Sequence, residues 1–140
     1  MKKIVVLMMF ATCICVCNGV EIKLLNAIKN VESSGNSSAI GDNGKAVGAY
    51  QIHKVYVDDV NKILKNKGFK TRFTYDDRFN AHKSRVMTCV YLNHYGKVYE
   101  RKTGKKASSE VLAKIHNGGP NGWKKQATVK YWNKVKKRLK

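Results

Sequence analysis

Cysteine is scarce and badly placed for cross-linking. The 140-residue chain has four, Cys13, Cys15, Cys17 and Cys89, and three of them crowd the first 17 residues. That distribution excludes a disulfide framework spread over the fold. Long apolar runs are missing too. The charge-free stretch Ile4–Val16 has 13 residues, too short to cross a bilayer as a helix. His53, His82, His94 and His116 lack ligand spacing with cysteines or acids, so no metal site is expected, and no cofactor. No recognisable nucleic-acid-binding motif is present. Acids are few: nine Asp and Glu stand against 28 Lys and Arg, a net charge of +19. A chain so charged favours polyanions, whether nucleic acid, anionic lipid or an acidic wall polymer.

What is present begins with a leader. Lys2 and Lys3 precede the apolar run, and Cys17 and Gly19 are small residues at −3 and −1 of a cut after Gly19. Residues 1–19 thus read as a signal peptide, and the product is expected to be secreted, extracellular or periplasmic. A lipoprotein is the rival reading. The small residue expected before a lipidated cysteine is missing, since Thr12, Ile14 and Val16 stand there. Cleavage removes two lysines and no acid, which lowers +19 to +17. The remaining domain, 20–140, keeps Cys89 alone and must be stable through packing. Cys89 sits in an apolar-periodic segment and reads as a buried filler.

The periodicity predicts a mostly α, single domain. A first helix spans 21–34, with Leu25, Ile28 and Glu32 on one face. Residues 35–47 are rich in Gly, Ser, Asn and Asp and suit a small β-hairpin with Asp42, Asn43 and Gly44 near its tip. Helices follow over 54–67 and 77–100. After a basic loop at 101–107, Ser108 or Ser109 caps a fourth. A loop at Asn117–Gly122 holds the only proline, Pro120, and a last helix starts near Ala127.

Nine acids make elimination feasible. Most follow a cap, a turn or a solvated helix face. Glu32 shares the stripe of Leu25 and Ile28 at the C-terminal end of its helix. Apolar surroundings and the negative end of the helix dipole both disfavour an ionised carboxylate there, as a general acid requires. The plainer alternative is a helix-end glutamate that swings into solvent. Asp42 lies ten residues on, where a hairpin folded over the helix end would set two carboxylates across a cleft. Its plainer alternative is an aspartate serving the turn itself.

Glu32-Ser33-Ser34-Gly35-Asn36 and Gly48-Ala49-Tyr50-Gln51-Ile52 resemble the active-site region of the lysozyme-like superfamily. His116-Asn117-Gly118-Gly119-Pro120-Asn121-Gly122, followed by Thr128 and Tyr131-Trp132-Asn133-Lys134-Val135, resembles the C-terminal signature of invertebrate-type, destabilase-like lysozymes. Gln51-Ile52, then Tyr56 and Asp59, follow that family's order. The likeness covers roughly residues 25–137. The Glu-Ser-Ser-Gly run is also similar to soluble lytic transglycosylases. There is one departure: Val60 and Trp123 stand where the family's pattern has cysteine.

The resemblance implies an α+β lysozyme-like fold and a muramidase. Its substrate would be the β-1,4 bond between N-acetylmuramic acid and N-acetylglucosamine in peptidoglycan. Glu32 would be the general acid, and Asp42 the nucleophile or stabiliser of an oxocarbenium-like state. Gly48, Tyr50 and Gln51 would line the cleft on one side, His116 and Asn117 on the other, and Tyr50 or Tyr131 would contact sugar rings. A lytic transglycosylase would use Glu32 alone. A non-enzymatic cationic antimicrobial or polyanion-binding protein would need neither carboxylate. An isopeptidase pair of Ser33 or Ser34 with His116 is a weaker alternative. The lysines that crowd residues 124–140 would draw the protein, as a monomer, to an anionic cell surface.

Overall fold

A computed structural model describes residues 19–139. The expected leader lies outside the described residues apart from Gly19. Those residues form five helices and a small antiparallel hairpin after the first of them: α1 (Ile22–Ser33), β1 (Ile40–Gly41), β2 (Ala46–Val47), α2 (Lys54–Asn66), α3 (Ala81–Thr103), α4 (Ser109–Gly118) and α5 (Val129–Lys136). The expected mostly α fold with a hairpin after the first helix is what forms.

Helix α3 is the axis of the domain. Met87, Thr88, Cys89, Val90, Tyr91 and Leu92 are all buried in succession. A helix buried around its full circumference belongs at the centre, with neighbours on every side. Those neighbours are α1, α2 and α4, while α5 closes against α1 and α4. Cys89 is buried and unbridged, as its surroundings in the sequence suggested. The α1 face contributes Leu24, Leu25, Ala27 and Ile28 to the same core.

Helix ends follow local chemistry. Asn80 caps α3, its side chain accepting from Lys83 N at 2.9 Å, and Gly104 stops that helix in the left-handed region. Ser108 caps α4 by accepting from Val111 N at 3.3 Å. Two boundaries depart from expectation. Residues Asp76–Phe79 form a 3₁₀ turn, so α3 begins at Ala81 and runs on to Thr103. Helix α4 continues through Asn117 and Gly118, which were expected in a loop.

The hairpin pairs Ile40 with Val47 and Gly41 with Ala46, and a 3₁₀ turn at Asp42–Gly44 forms its tip. A further bridge joins Val47 to Ile52. The assembly is pinned by Arg78, only 5% exposed. Its Nε donates to Tyr75 O at 2.7 Å, and its Nη1 to Ile52 O at 3.0 Å and Lys45 O at 3.3 Å. The Arg78 carbonyl accepts from Ser84 Oγ at 2.7 Å. One arginine therefore ties the hairpin to the start of α3.

Gly48 makes this possible. Its φ is +82°, and a Cβ there would lie 1.9 Å from Arg78 O. Any side chain must push the hairpin away from α3 while also adopting a left-handed conformation. Gly48→Ala is expected to cost more than about 2 kcal/mol. Urea unfolding of the variant beside the wild type measures this directly.

Candidate active site

A cleft of about 620 Å³ opens between the end of α1, the hairpin, α2 and the end of α4. Of the residues expected at a site, Glu32, Asp42, Gln51, His116 and Asn117 line it. Gly48, Tyr50 and Tyr131 do not appear among its lining residues. Gly48 faces Arg78, and Tyr50 and Tyr131 are buried behind the wall. Val55, Tyr56, Asp59 and Tyr91 are lining residues that sequence reasoning did not assign to the site.

Glu32 is the penultimate residue of α1, with its side chain 18% exposed. Ser33 Oγ donates to Ala49 O at 2.8 Å, which fastens the helix end to the segment after the hairpin. Tyr131 of α5 donates its hydroxyl to Glu32 Oε1 at 2.7 Å. His116 Nε2 lies 3.4 Å from the same oxygen and 3.1 Å from Tyr50 O. A carbonyl can only accept, so Nε2 carries the hydrogen. Nδ1 is then free to accept from Tyr56 Oη at 3.2 Å. The partners thus select one tautomer of His116. Both ring nitrogens of His116 are thus engaged by Tyr50, Glu32 and Tyr56, and Ser33 Oγ is bound to Ala49 O.

The tyrosines act as fixed donors. Burial raises the Tyr131 hydroxyl pKa well above its ordinary value, and the Glu32 charge beside it adds to the effect. Burial does the same to Tyr56, with Tyr91 next in importance. Neither gives up its proton at any ordinary pH. Glu32 is therefore positioned by a donor that keeps its proton.

Asp42 sits on the hairpin tip in the left-handed region, φ +48°, followed by Asn43 at +52°. Asp and Asn tolerate this conformation better than other non-glycine residues. His53 Nε2 lies 3.3 Å from Asp42 Oδ2. Gln51, also left-handed at φ +49°, donates its amide to Gly48 O at 3.0 Å and Ala39 O at 3.2 Å. Two of these left-handed residues, Asp42 and Gln51, line the hairpin wall of the cleft, a placement that recurs at functional sites. On the opposite wall Tyr56 stacks on Tyr91 with centroids 3.8 Å apart. Asp59 Oδ2 accepts from Tyr95 Oη. Asp59 follows Tyr56 by three positions on one face of α2. That spacing is the signal by which the sequence could have revealed it.

A destabilase profile matches residues 21–138. The chain belongs to the destabilase family. It is 31% identical over 125 residues to a lysozyme of Ostrea edulis, covering 87% of this chain and 83% of that protein. It is 36% identical over 90 residues to invertebrate-type lysozyme 3 of Caenorhabditis elegans, covering 64% of this chain. The match spans 63% of that nematode relative and 64% of invertebrate-type lysozyme 6 from the same organism. A chain in the crystal structure of Aeromonas hydrophila PliI in complex with Meretrix lusoria lysozyme superposes with a TM-score of 0.67 at 27% identity. That superposition covers 84% of this destabilase-family chain and 89% of the other.

The buried hydroxyl also sets an alkaline limit on stability. Unfolded tyrosine ionises near pH 10, whereas folded Tyr131 ionises higher. Its contribution is intact below the unfolded value and is lost as pH rises through the folded one. Tyr131→Phe is expected to flatten the fall in stability above about pH 10, and to lose about 1 kcal/mol at neutral pH with its hydrogen bond. Urea midpoints across that range for both proteins provide the test.

Proposed function

We propose that this protein is a secreted muramidase that hydrolyses the β-1,4 bond between N-acetylmuramic acid and N-acetylglucosamine in peptidoglycan. The observation that carries this reading is the setting of Glu32. It is a mostly buried carboxyl at a helix end, held on one oxygen and lining the same cleft as Asp42. The lysozyme names of the relatives in oyster and nematode support it.

In this reading the two carboxyl oxygens of Glu32 take different roles. Oε1 takes the contacts from Tyr131 and His116. An oxygen receiving both donors is a poor place for a proton, so the acidic hydrogen sits on Oε2. From there it transfers to the glycosidic oxygen as the bond to the anomeric carbon breaks. Asp42 balances or traps the positive charge that develops at that carbon. Glu32, now a carboxylate still held by Tyr131, then takes a proton from the attacking water. His116 and Tyr131 are positioning residues in this scheme, and Gln51 and Asn117 remain available to sugar polar groups. The surplus of lysine outside the cleft favours approach to an anionic wall.

One observation favours a second reading. The Asp42 side chain is 56% exposed and paired with His53. A transglycosylase would need only Glu32, with the sugar's own 6-hydroxyl displacing the bond to give an anhydro product. Glu32→Gln is expected to lower release of muropeptides from purified peptidoglycan by about 10²–10⁴-fold while leaving the fold intact. Near wild-type release by that variant would overturn the assignment. Mass spectrometry of the wild-type products separates the two chemistries. Ordinary reducing ends, together with a severe loss of turnover in Asp42→Asn, are expected for the hydrolase. Anhydro ends together with an active Asp42→Asn variant would establish the transglycosylase.

A further inference from the structure

The charge of the cleft is opposite to that of the protein. The whole chain carries 28 Lys and Arg against nine acids. Yet none of the described Lys or Arg residues lines the cleft, while Glu32, Asp42 and Asp59 do. Glu32 and Asp42 have roles in cleavage. Asp59 has none there, and its surroundings are specific. Tyr95 donates its hydroxyl to Oδ2, and the residue lines the cleft. Tyr56 and Tyr91, stacked on each other and only 8% and 4% exposed, line the cleft beside it and form the rigid wall that carries it. Tyr91 packs in turn on Tyr95 with centroids 4.7 Å apart. Asp59 is thus a half-buried carboxylate, fixed from behind and set against an aromatic wall.

We propose that Asp59 is a specificity-determining residue that receives the free 2-ammonium of an N-unsubstituted glucosamine unit, so that the cleft accepts partly de-N-acetylated glycan. The proposal rests on the reading of the cleft as a glycan site. An ammonium meeting a held carboxylate makes a charge-assisted hydrogen bond, roughly twice as strong as a neutral one. No described lysine or arginine lines the cleft, and its two histidines, His53 and His116, are set against Asp42 and Glu32 and not against Asp59, which leaves that bond to the ligand. An N-acetyl group in the same place offers only an uncharged N–H. Anionic parts of a wall polymer would be repelled from this wall of the cleft and left to the basic exterior. The two halves of the charge distribution then read different parts of one polymer.

Binding tests this apart from catalysis. Glu32→Gln is titrated by calorimetry with a glucosamine hexamer and an N-acetylglucosamine hexamer, at mildly acidic pH where the sugar amines are charged. The titrations are repeated with Asp59→Asn added. Asparagine still accepts from Tyr95, so the fold is retained and only the charge is lost; circular dichroism checks this. The glucosamine hexamer is expected to weaken by about tenfold or more, and the acetylated one by less than about threefold. Equal weakening, or none, would overturn the proposal. So would a comparable loss on adding Asp42→Asn instead, which would assign the effect to the general field of the cleft. So would a lysine oligomer of equal charge that binds as tightly and loses as much, since the site would then read charge without sugar. Binding of neither hexamer would overturn the glycan reading of the cleft together with this one. A wild type that binds glucosamine through Asp59 but cleaves no wall would overturn the enzymatic reading alone.

Discussion

The cleft depends on a buried positive charge that is satisfied by backbone. Arg78 reaches carbonyls on the hairpin, on the bridge residue after it and on its own turn. A buried guanidinium is tolerable only when its donors are met, and leaving such groups unmet costs several kcal/mol. The constraint is therefore mutual: the arginine needs the hairpin carbonyls, and the hairpin has only four strand residues to hold itself. An isolated hairpin of that size has marginal stability at best. Arg78 anchors Lys45 and Ile52, which flank the left-handed Gln51 and follow Asp42.

The opposite wall is held by contacts between the two ends of the domain. Glu32 and Tyr131 are 99 residues apart in sequence and 2.7 Å apart in space. His116 stands between α1, α2 and the segment after the hairpin through Glu32, Tyr56 and Tyr50. The carboxyl that the proposed chemistry relies on is thus oriented only when α4 and α5 are docked on α1. Packing and function share these atoms. Tyr131, expected to touch sugar, instead lies behind the glutamate and aims it.

How much of this was legible follows from what each signal encodes. Amphipathic helices announce their inner face, so α1 and α2 were placed within a residue or so. Helix α3 is buried all round over its middle, Met87–Leu92, which blurs the period, and its start lies later than the sequence suggests because Asp76–Phe79 looks helical while forming a tighter turn. Glu32 could be singled out because an acid on an apolar stripe is anomalous. Arg78 could not, since a basic residue among 28 carries no such anomaly and its partners are carbonyls without sequence identity. The Tyr131–Glu32 bond was hidden because periodicity says nothing about which distant elements meet. Asp59 lay in the middle: its place in a motif was visible, its hydrogen bond to Tyr95 was not.

Within residues 19–139 every tie between the hairpin and the helices is non-covalent, and the only thiol, Cys89, is sealed in the core. Where invertebrate-type relatives are resembled but their half-cystines are replaced, cohesion comes from hydrogen bonds that break and reform on the same path. Opening of the hairpin and its closure are one reaction run in two directions, with no mispaired sulfur to trap the chain in between. Among the described residues no pair of thiols is present to make redox state a folding variable.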